Sequence, residues 1–392
     1  MNDLFRPSRR QFLAAAACCA AAAPLSTPMT FAAVPGERRL VTIILRGAMD
    51  GLSLVQPYGD PMLKVHRPTL ALSPGAGLLD LDGMFGLNEE ANALLPLWQS
   101  GELTFVQGLS TPYRNERSHF DGQDVLESGG ASVNSERTGW LNRALAAVPS
   151  AERRAIDVNP SADLLLSGPN PVDVWSSRTD LDMGADELVF LDRLYRNDPV
   201  FARALAEAAK TDLSADAIYR QDKRGTKVAD IARLAGGMLT REYRIASFSL
   251  AGWDTHADQV KTFRKPAAEL ATAIVTLKQA LGPAAWRETV VLAITEFGRT
   301  VRENGSAGTD HGTGSLAVVA GGAIRGGRMA GRFPGLAEKD LLDARDLAPT
   351  GDVRELAAAM LHRQFGITAE TITNRIFPGL DFDRSSPLLK AI

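Results

Sequence analysis

Residues 289–299 read TVVLAITEFGR. The step from apolar run to carboxylate within them decides the fold. A continuous apolar run of this length, rich in β-branched side chains, is the pattern of a strand covered on both faces. It leads straight into Glu296, and a charge at the end of a buried strand needs a partner. Four other runs have the same character: Leu40 to Leu45 (LVTIIL), Leu103 to Gln107, Ile245 to Leu250 and Leu316 to Ala320. Helical patterns lie between them. Leu95 to Gln99 closes one helix. Ala257 to Leu281 carries Val260, Phe263, Leu270, Ile274 and Leu277 at helical spacing, and Val353 to Phe365 is amphipathic. Strands alternating with helices predict an α/β layered fold. Residues 183–240 are polar and helical in pattern, a candidate cap over the sheet, and Gly305 to Gly314 is a flexible glycine-rich loop. There is no internal repeat.

Working outward, three of these strands end in acidic or imidazole-bearing turns. The first gives Arg46-Gly47-Ala48-Met49-Asp50-Gly51, another Gly252-Trp253-Asp254-Thr255-His256, and the third Thr295-Glu296-Phe297-Gly298-Arg299. In open α/β sheets the ligand crevice lies beyond the carboxyl ends of the strands, so the three predict one shared site. Asp310-His311 in the glycine-rich loop and Ser118-His119 after the Leu103 strand join the candidates. Each has a plainer reading. Asp50-Gly51 suits a turn, Asp254 or Thr255 suits a helix N-cap, His119 suits a satisfied buried histidine, and Asp310 suits a loop. His66 and His362 stand outside such contexts. Carboxylates and imidazoles without thiolates form a hard-to-borderline donor set, matching a divalent ion such as zinc, manganese, magnesium or calcium. Asp254, His256 and His311 supply one carboxylate and two imidazoles, a count typical of catalytic zinc with a position left open.

The N-terminus carries Ser8-Arg9-Arg10-Gln11-Phe12-Leu13, then an alanine-dominated stretch to Leu25 and small residues around Ala32 and Ala33. This is the pattern of a cleaved twin-arginine signal over 1–33, followed by a single domain over 34–392. The apolar stretch is short for a spanning helix, so no stable membrane insertion is expected after cleavage. A retained anchor is the alternative. Export predicts a periplasmic protein whose first partner is the twin-arginine machinery. Cys18 and Cys19 are the only cysteines and both lie in the signal, which leaves the mature chain without disulfide or thiolate chemistry. Cleavage removes Arg6, Arg9 and Arg10 against Asp3, moving the net charge from −3 to −5. An acidic surface offers no footprint for nucleic acid.

The runs LRGAMDGLSLVQPYGD, RSHFDGQDVLESG, GWLNRAL, AGWDTHADQ, TEFGRTVRENGSAGTDHGTGS and RGGRMAGRFPGL, in that order behind the export signal, resemble an uncharacterised family of exported bacterial proteins. That family is filed as a domain of unknown function and is related to the alkaline phosphatase and sulfatase superfamily. The resemblance covers about 40–380. It implies a three-layer fold with a central, mostly parallel mixed sheet between helical layers, and an ancestry of metal-dependent hydrolysis of phosphate or sulfate esters. Carried over residue by residue, the first-strand aspartate of the superfamily falls on Asp50. Its mid-chain ligands fall on Asp254 and His256, and its last histidine on His311 beside Asp310. The late Asp-His pair falls on Glu296-Phe297, where Phe replaces an imidazole. The lost donor belongs to the ion that Asp50 would hold, so the resemblance leaves room for a single-metal site. Ser118, at a helix start, is one candidate nucleophile. Ser110, in a faint echo of the sulfatase Ser/Cys-x-Pro-x-Arg pattern, is the other. His119 and Arg299 complete the candidate catalytic set, and a small anionic ester is the expected substrate. A non-catalytic, metal-retaining binding or assembly protein on the same fold is the main alternative, and a metal-free structural export partner is a third.

Overall fold

The computed structural model of the protein describes residues 37–114, 117–149, 154–159, 162–175 and 227–382, all within the unit Pro35–Ile392. The expected signal over 1–33 lies outside the described residues, as does most of the expected cap over 183–240. No helix among the described residues is long and apolar enough to cross a membrane.

The apolar runs form the sheet. Its strands are β1 (Arg39–Leu45), β2 (Leu103–Ser110), β3 (Ala155–Asp157), β4 (Asp173–Val174), β5 (Ile245–Leu250), β6 (Thr289–Ile294), β7 (Ser315–Ala320), β8 (Arg328–Gly331) and β9 (Gly351–Asp352). They lie in the order β8-β2-β7-β6-β1-β5-β3-β4, with β9 pairing the end of β2. β7 runs antiparallel to both neighbours, and every other pairing is parallel. The sheet is therefore mixed and mostly parallel, and its central strands are buried on both faces.

The main helices are α1 (His119–Ser128), α2 (Trp140–Leu145), α3 (Val228–Leu239), α4 (Arg264–Arg287) and α5 (Val353–Phe365). Because side chains alternate across a strand, β1 feeds two cores at once. Val41, Ile43 and Leu45 pack with Leu234 and Met238 of α3 and with Leu270, Ile274 and Leu277 of α4. Leu40 and Ile44 pack on the other side with Leu141 and Leu145 of α2 and with Leu356 and Met360 of α5. Each such side chain stabilises the fold by about 1.5–3 kcal/mol on burial, so the two faces together fix which residues point where. Asp352 caps α5 by accepting from the Arg354 N–H at 2.8 Å, and Gly366 ends it in the left-handed region that favours glycine. The helix expected over 257–281 is preceded by a short turn, Gln259–Thr262, and proper begins at Arg264. The end of the expected cap is α3, a member of the helical layer packed against α4.

Asp157, at the end of β3, is buried and accepts from the Ser247 hydroxyl at 3.0 Å and the Asp163 N–H at 2.8 Å. Burial, reinforced by the nearby Asp163 charge, pushes its pKa up to about 6. A carboxyl whose folded pKa lies above its unfolded value favours folding while protonated, and that contribution is lost as pH rises through the folded pKa. Asp157→Asn should therefore gain about 2 kcal/mol relative to the parent between pH 4 and pH 7.5, on top of a pH-independent offset from the changed hydrogen bonds. Urea unfolding at the two pH values measures this, and a constant offset would contradict it.

Candidate metal centre

The neighbouring strands β5, β1 and β6 release their chains at one edge of the sheet, and there the loops interlock. The Arg46 N–H donates to Leu250 O at 2.8 Å. Gly47 has φ +115°, and a Cβ there would lie 2.6 Å from the Asp254 nitrogen, so close approach of the first two loops requires glycine. Because β7 is antiparallel, the loop before it returns to the same edge. Gly298 N–H donates to Thr313 O at 2.9 Å, Gly312 N–H to Gly298 O at 2.8 Å, and Thr300 N–H to Asp310 O at 2.9 Å, which sets His311 beside the end of β6. β2 exits toward the same place and delivers His119 at the start of α1.

Four side chains converge there. His256 Nε2 lies 3.0 Å from Asp254 Oδ1 and 2.9 Å from His311 Nε2. His311 Nε2 lies 3.3 Å from the same oxygen, and His119 Nε2 lies 3.5 Å from Asp254 Oδ2. One donor atom each from His119, Asp254 and His311 fall within 4.8 Å of one another. The other ring nitrogens decide the tautomers. His119 Nδ1 is 2.9 Å from Glu296 Oε1, His311 Nδ1 is 2.8 Å from the Arg117 carbonyl, and His256 Nδ1 is 3.3 Å from Asp310 Oδ1. Each of those oxygens can only accept, so each Nδ1 donates, and in the neutral imidazole each Nε2 turns a lone pair inward. His119 Nε2 is buried with no hydrogen-bond partner among the described residues.

Charge at the site follows the same contacts. The Glu296 hydrogen bond raises the pKa of His119 against the opposing effect of burial, whereas burial lowers that of His311. Burial works against ionised Asp254, but Arg299 and His256 outweigh it and hold its pKa below the usual carboxylate range. Glu296 is buried, which disfavours its charge, yet His119 and the Gly47 and Thr295 donors keep its pKa lowered. Phe297, standing where the resemblance expects an imidazole, packs its ring against His119 and His311 at 5.3 and 5.1 Å.

Several candidates take other places than the sequence suggests. Glu296 is not turned to the open site: its oxygens are spent on Gly47, Thr295 and His119, and it acts by orienting that imidazole. Asp310 likewise backs His256 and accepts from Asn304. Arg299 cannot touch a substrate, because its buried guanidinium donates to the carbonyls of Gly47, Ala48, Trp253 and Thr309 and to Asp254. It positions Asp254. Ser118 is the N-cap of α1, accepting from the Asp121 N–H, and Ser110 accepts from Arg114. Neither hydroxyl has a hydrogen-bonded base among the described residues. His66 and His362 bond to the carbonyls of Leu336 and Ile367, away from the cluster.

Asp50 departs furthest from its expected role. It lies at the end of β1 as foreseen, but Arg67 takes both its oxygens, at 2.7 and 3.1 Å, and Ser53 and Gln259 donate to it as well. A guanidinium at that range leaves no unneutralised charge for a cation. Both partners are fully buried, and removing one side of such a pair costs about 3–5 kcal/mol. Arg67→Met should lose about that much stability in chemical denaturation, and Asp50→Leu in the same chain should recover part of it. An Arg67→Met protein of parental stability would contradict the pairing.

Residues 109–376 match the family model described as a protein of unknown function (DUF1501). No curated protein matches the chain. Among solved structures, one similar protein belongs to the alkaline phosphatase superfamily and comes from Vibrio parahaemolyticus. The likeness has 11% identity and a TM-score of 0.36, and covers 77% of this chain and 64% of that one. So slight a likeness says nothing about the site. With the family model spanning well over half its length, the chain belongs to the DUF1501 family of proteins of unknown function.

Proposed function

We propose that this protein is an exported, metal-dependent hydrolase of phosphate or sulfate esters, holding one divalent ion, zinc, between His119, Asp254 and His311. One observation carries the reading: in their neutral form three imidazoles turn Nε2 lone pairs toward one carboxylate. Two Nε2 atoms at 2.9 Å repel unless a proton or a metal ion stands between or beside them. The orphaned His119 Nε2 fits the same demand. Two imidazoles and a carboxylate with an open fourth position are the donor set of catalytic zinc. When bound, such an ion polarises an ester oxygen and stabilises the charge that develops on it.

The chain's own groups prepare the site. Glu296 and the Arg117 carbonyl hold protons at the Nδ1 atoms, as partners behind metal-binding histidines do. Arg299 keeps Asp254 ionised and aimed. His256, more exposed, stands at the mouth with Asp310 behind it. The Asp50–Arg67 pair favours one ion over two. A second reading, a metal-retaining binding or assembly protein without catalysis, draws support from the two serines, each without a base among the described residues.

Elemental analysis of purified protein should find about one divalent ion per chain. Chelator should lower Tm by about 3 °C or more, as a ligand held well above its Kd does. His311→Ala should abolish that response, while His66→Ala and His362→Ala keep it. No stoichiometric metal and no chelator effect would end the metal reading. Turnover of a nitrophenyl phosphodiester or sulfate then separates hydrolase from binding protein. For export, replacing Arg9 and Arg10 by Lys should strand precursor in the cytoplasm, and normal periplasmic accumulation would contradict it.

A further inference from the structure

Away from the metal donors lies a cavity of about 360 Å³, within the size range of small-molecule sites. Its walls are the Glu89–Leu94 segment, the turn around Leu72 and Gly77, and the stretch from Gln259 to Arg264. None of His119, Asp254 and His311 lines it.

Most polar groups on its walls are already spent. Gln56 donates to Leu70 O at 3.0 Å and accepts from Leu72 N–H at 2.8 Å. Asn88 donates to Ser53 O and accepts from Glu90 N–H. Gln259 donates to Asp50 and Ser53 and accepts from Thr255 and Thr309. What remains open is small and of one sign. Glu90 faces Arg264 at 3.4 Å, so that positive charge is neutralised. Glu89 is exposed, and neither its carboxylate nor the Asn92 amide has a partner among the described residues. The cavity therefore presents one uncompensated negative charge and one free amide. Beside these polar groups it offers apolar surface: Leu70 and Phe263 are buried residues of its wall, and Val260, also lining it, is 48% exposed. Val260 is one of four large hydrophobic side chains left exposed among the described residues, and a ligand body resting on it would cover that surface.

We propose that this cavity is a second small-molecule site, taking a compound with an apolar body and a single positively charged amine, the amine against Glu89. The site is independent of the metal reading. It stands or falls on binding measured with metal present and after chelation.

Three probes of one shape separate the contributions in isothermal titration of the purified protein at low salt: phenethylamine, phenethyl alcohol and hydrocinnamate. The amine should bind several-fold more tightly than the alcohol, a range set by an exposed ion pair, and the carboxylate should not bind. Glu89→Gln, at an exposed position, should erase the amine's advantage and leave the alcohol unchanged. Val260→Asn should weaken amine and alcohol alike. Chelation should leave all of this intact. Equal binding of amine and carboxylate, no binding by any probe, or an amine advantage that survives Glu89→Gln would overturn the proposal.

Discussion

Everything at the candidate metal centre depends on one buried carboxylate. Glu296 follows directly on an apolar strand in the middle of the sheet, where an unpaired charge costs several kcal/mol. Its partners come from far apart in the chain: the Gly47 N–H from the loop after β1, the Thr295 hydroxyl beside it, and the His119 imidazole from the helix after β2. Meeting the needs of one charge thus draws three strand ends together and fixes the tautomer of a histidine. Further polar groups continue outward from it. Gln123 reaches Glu296 at 3.3 Å and accepts from Arg46 at 2.7 Å, and Arg46 in turn pairs with Glu127 and Asp163.

The same logic divides the two carboxylates that follow β1 and β5, on one side of Glu296 in the sheet. Asp254 is bonded to a guanidinium but keeps one side turned to imidazoles and solvent. Asp50 is enclosed by Arg67, Ser53 and Gln259. One therefore remains available to a cation and the other serves as a buried tie. Gln259 lies between these worlds: its carbonyl accepts from Thr255 and Thr309, next to Asp254 and Asp310, while its amide holds Asp50 and it walls the amine-sized cavity.

Much of the fold could be read from period and run length. Continuous apolar strands such as Leu40 to Leu45 and Thr289 to Ile294 announce a sheet covered on both faces, and the alternating helices supply the cover. That Glu296 needs a partner, and that Asp254, His256 and His311 lie near one another, also follows from strand ends sharing an edge. The parts that were not legible are those set by tertiary encounter. Nothing local marks Arg67 as the partner of Asp50, because the pair forms only when the turn after Pro61 packs beneath the β1 loop. His119 reads as a neighbour of a serine, and only its meeting with a carboxylate 177 positions away turns its Nε2 toward the cluster. Arg299 reads as reactive because it follows a strand end, but the carbonyls that bury it come from the loops after β1 and β5 and from Thr309 further along its own connection.

The central claim is that imidazole lone pairs and the Asp254 carboxylate are arranged around one ion. An anomalous-diffraction map of the metal-loaded protein tests it most directly. The account predicts a single full-occupancy peak within bonding distance of His119, Asp254 and His311, with none at Asp50. A map without a peak at those residues, or with its strongest peak on Asp50, would contradict it.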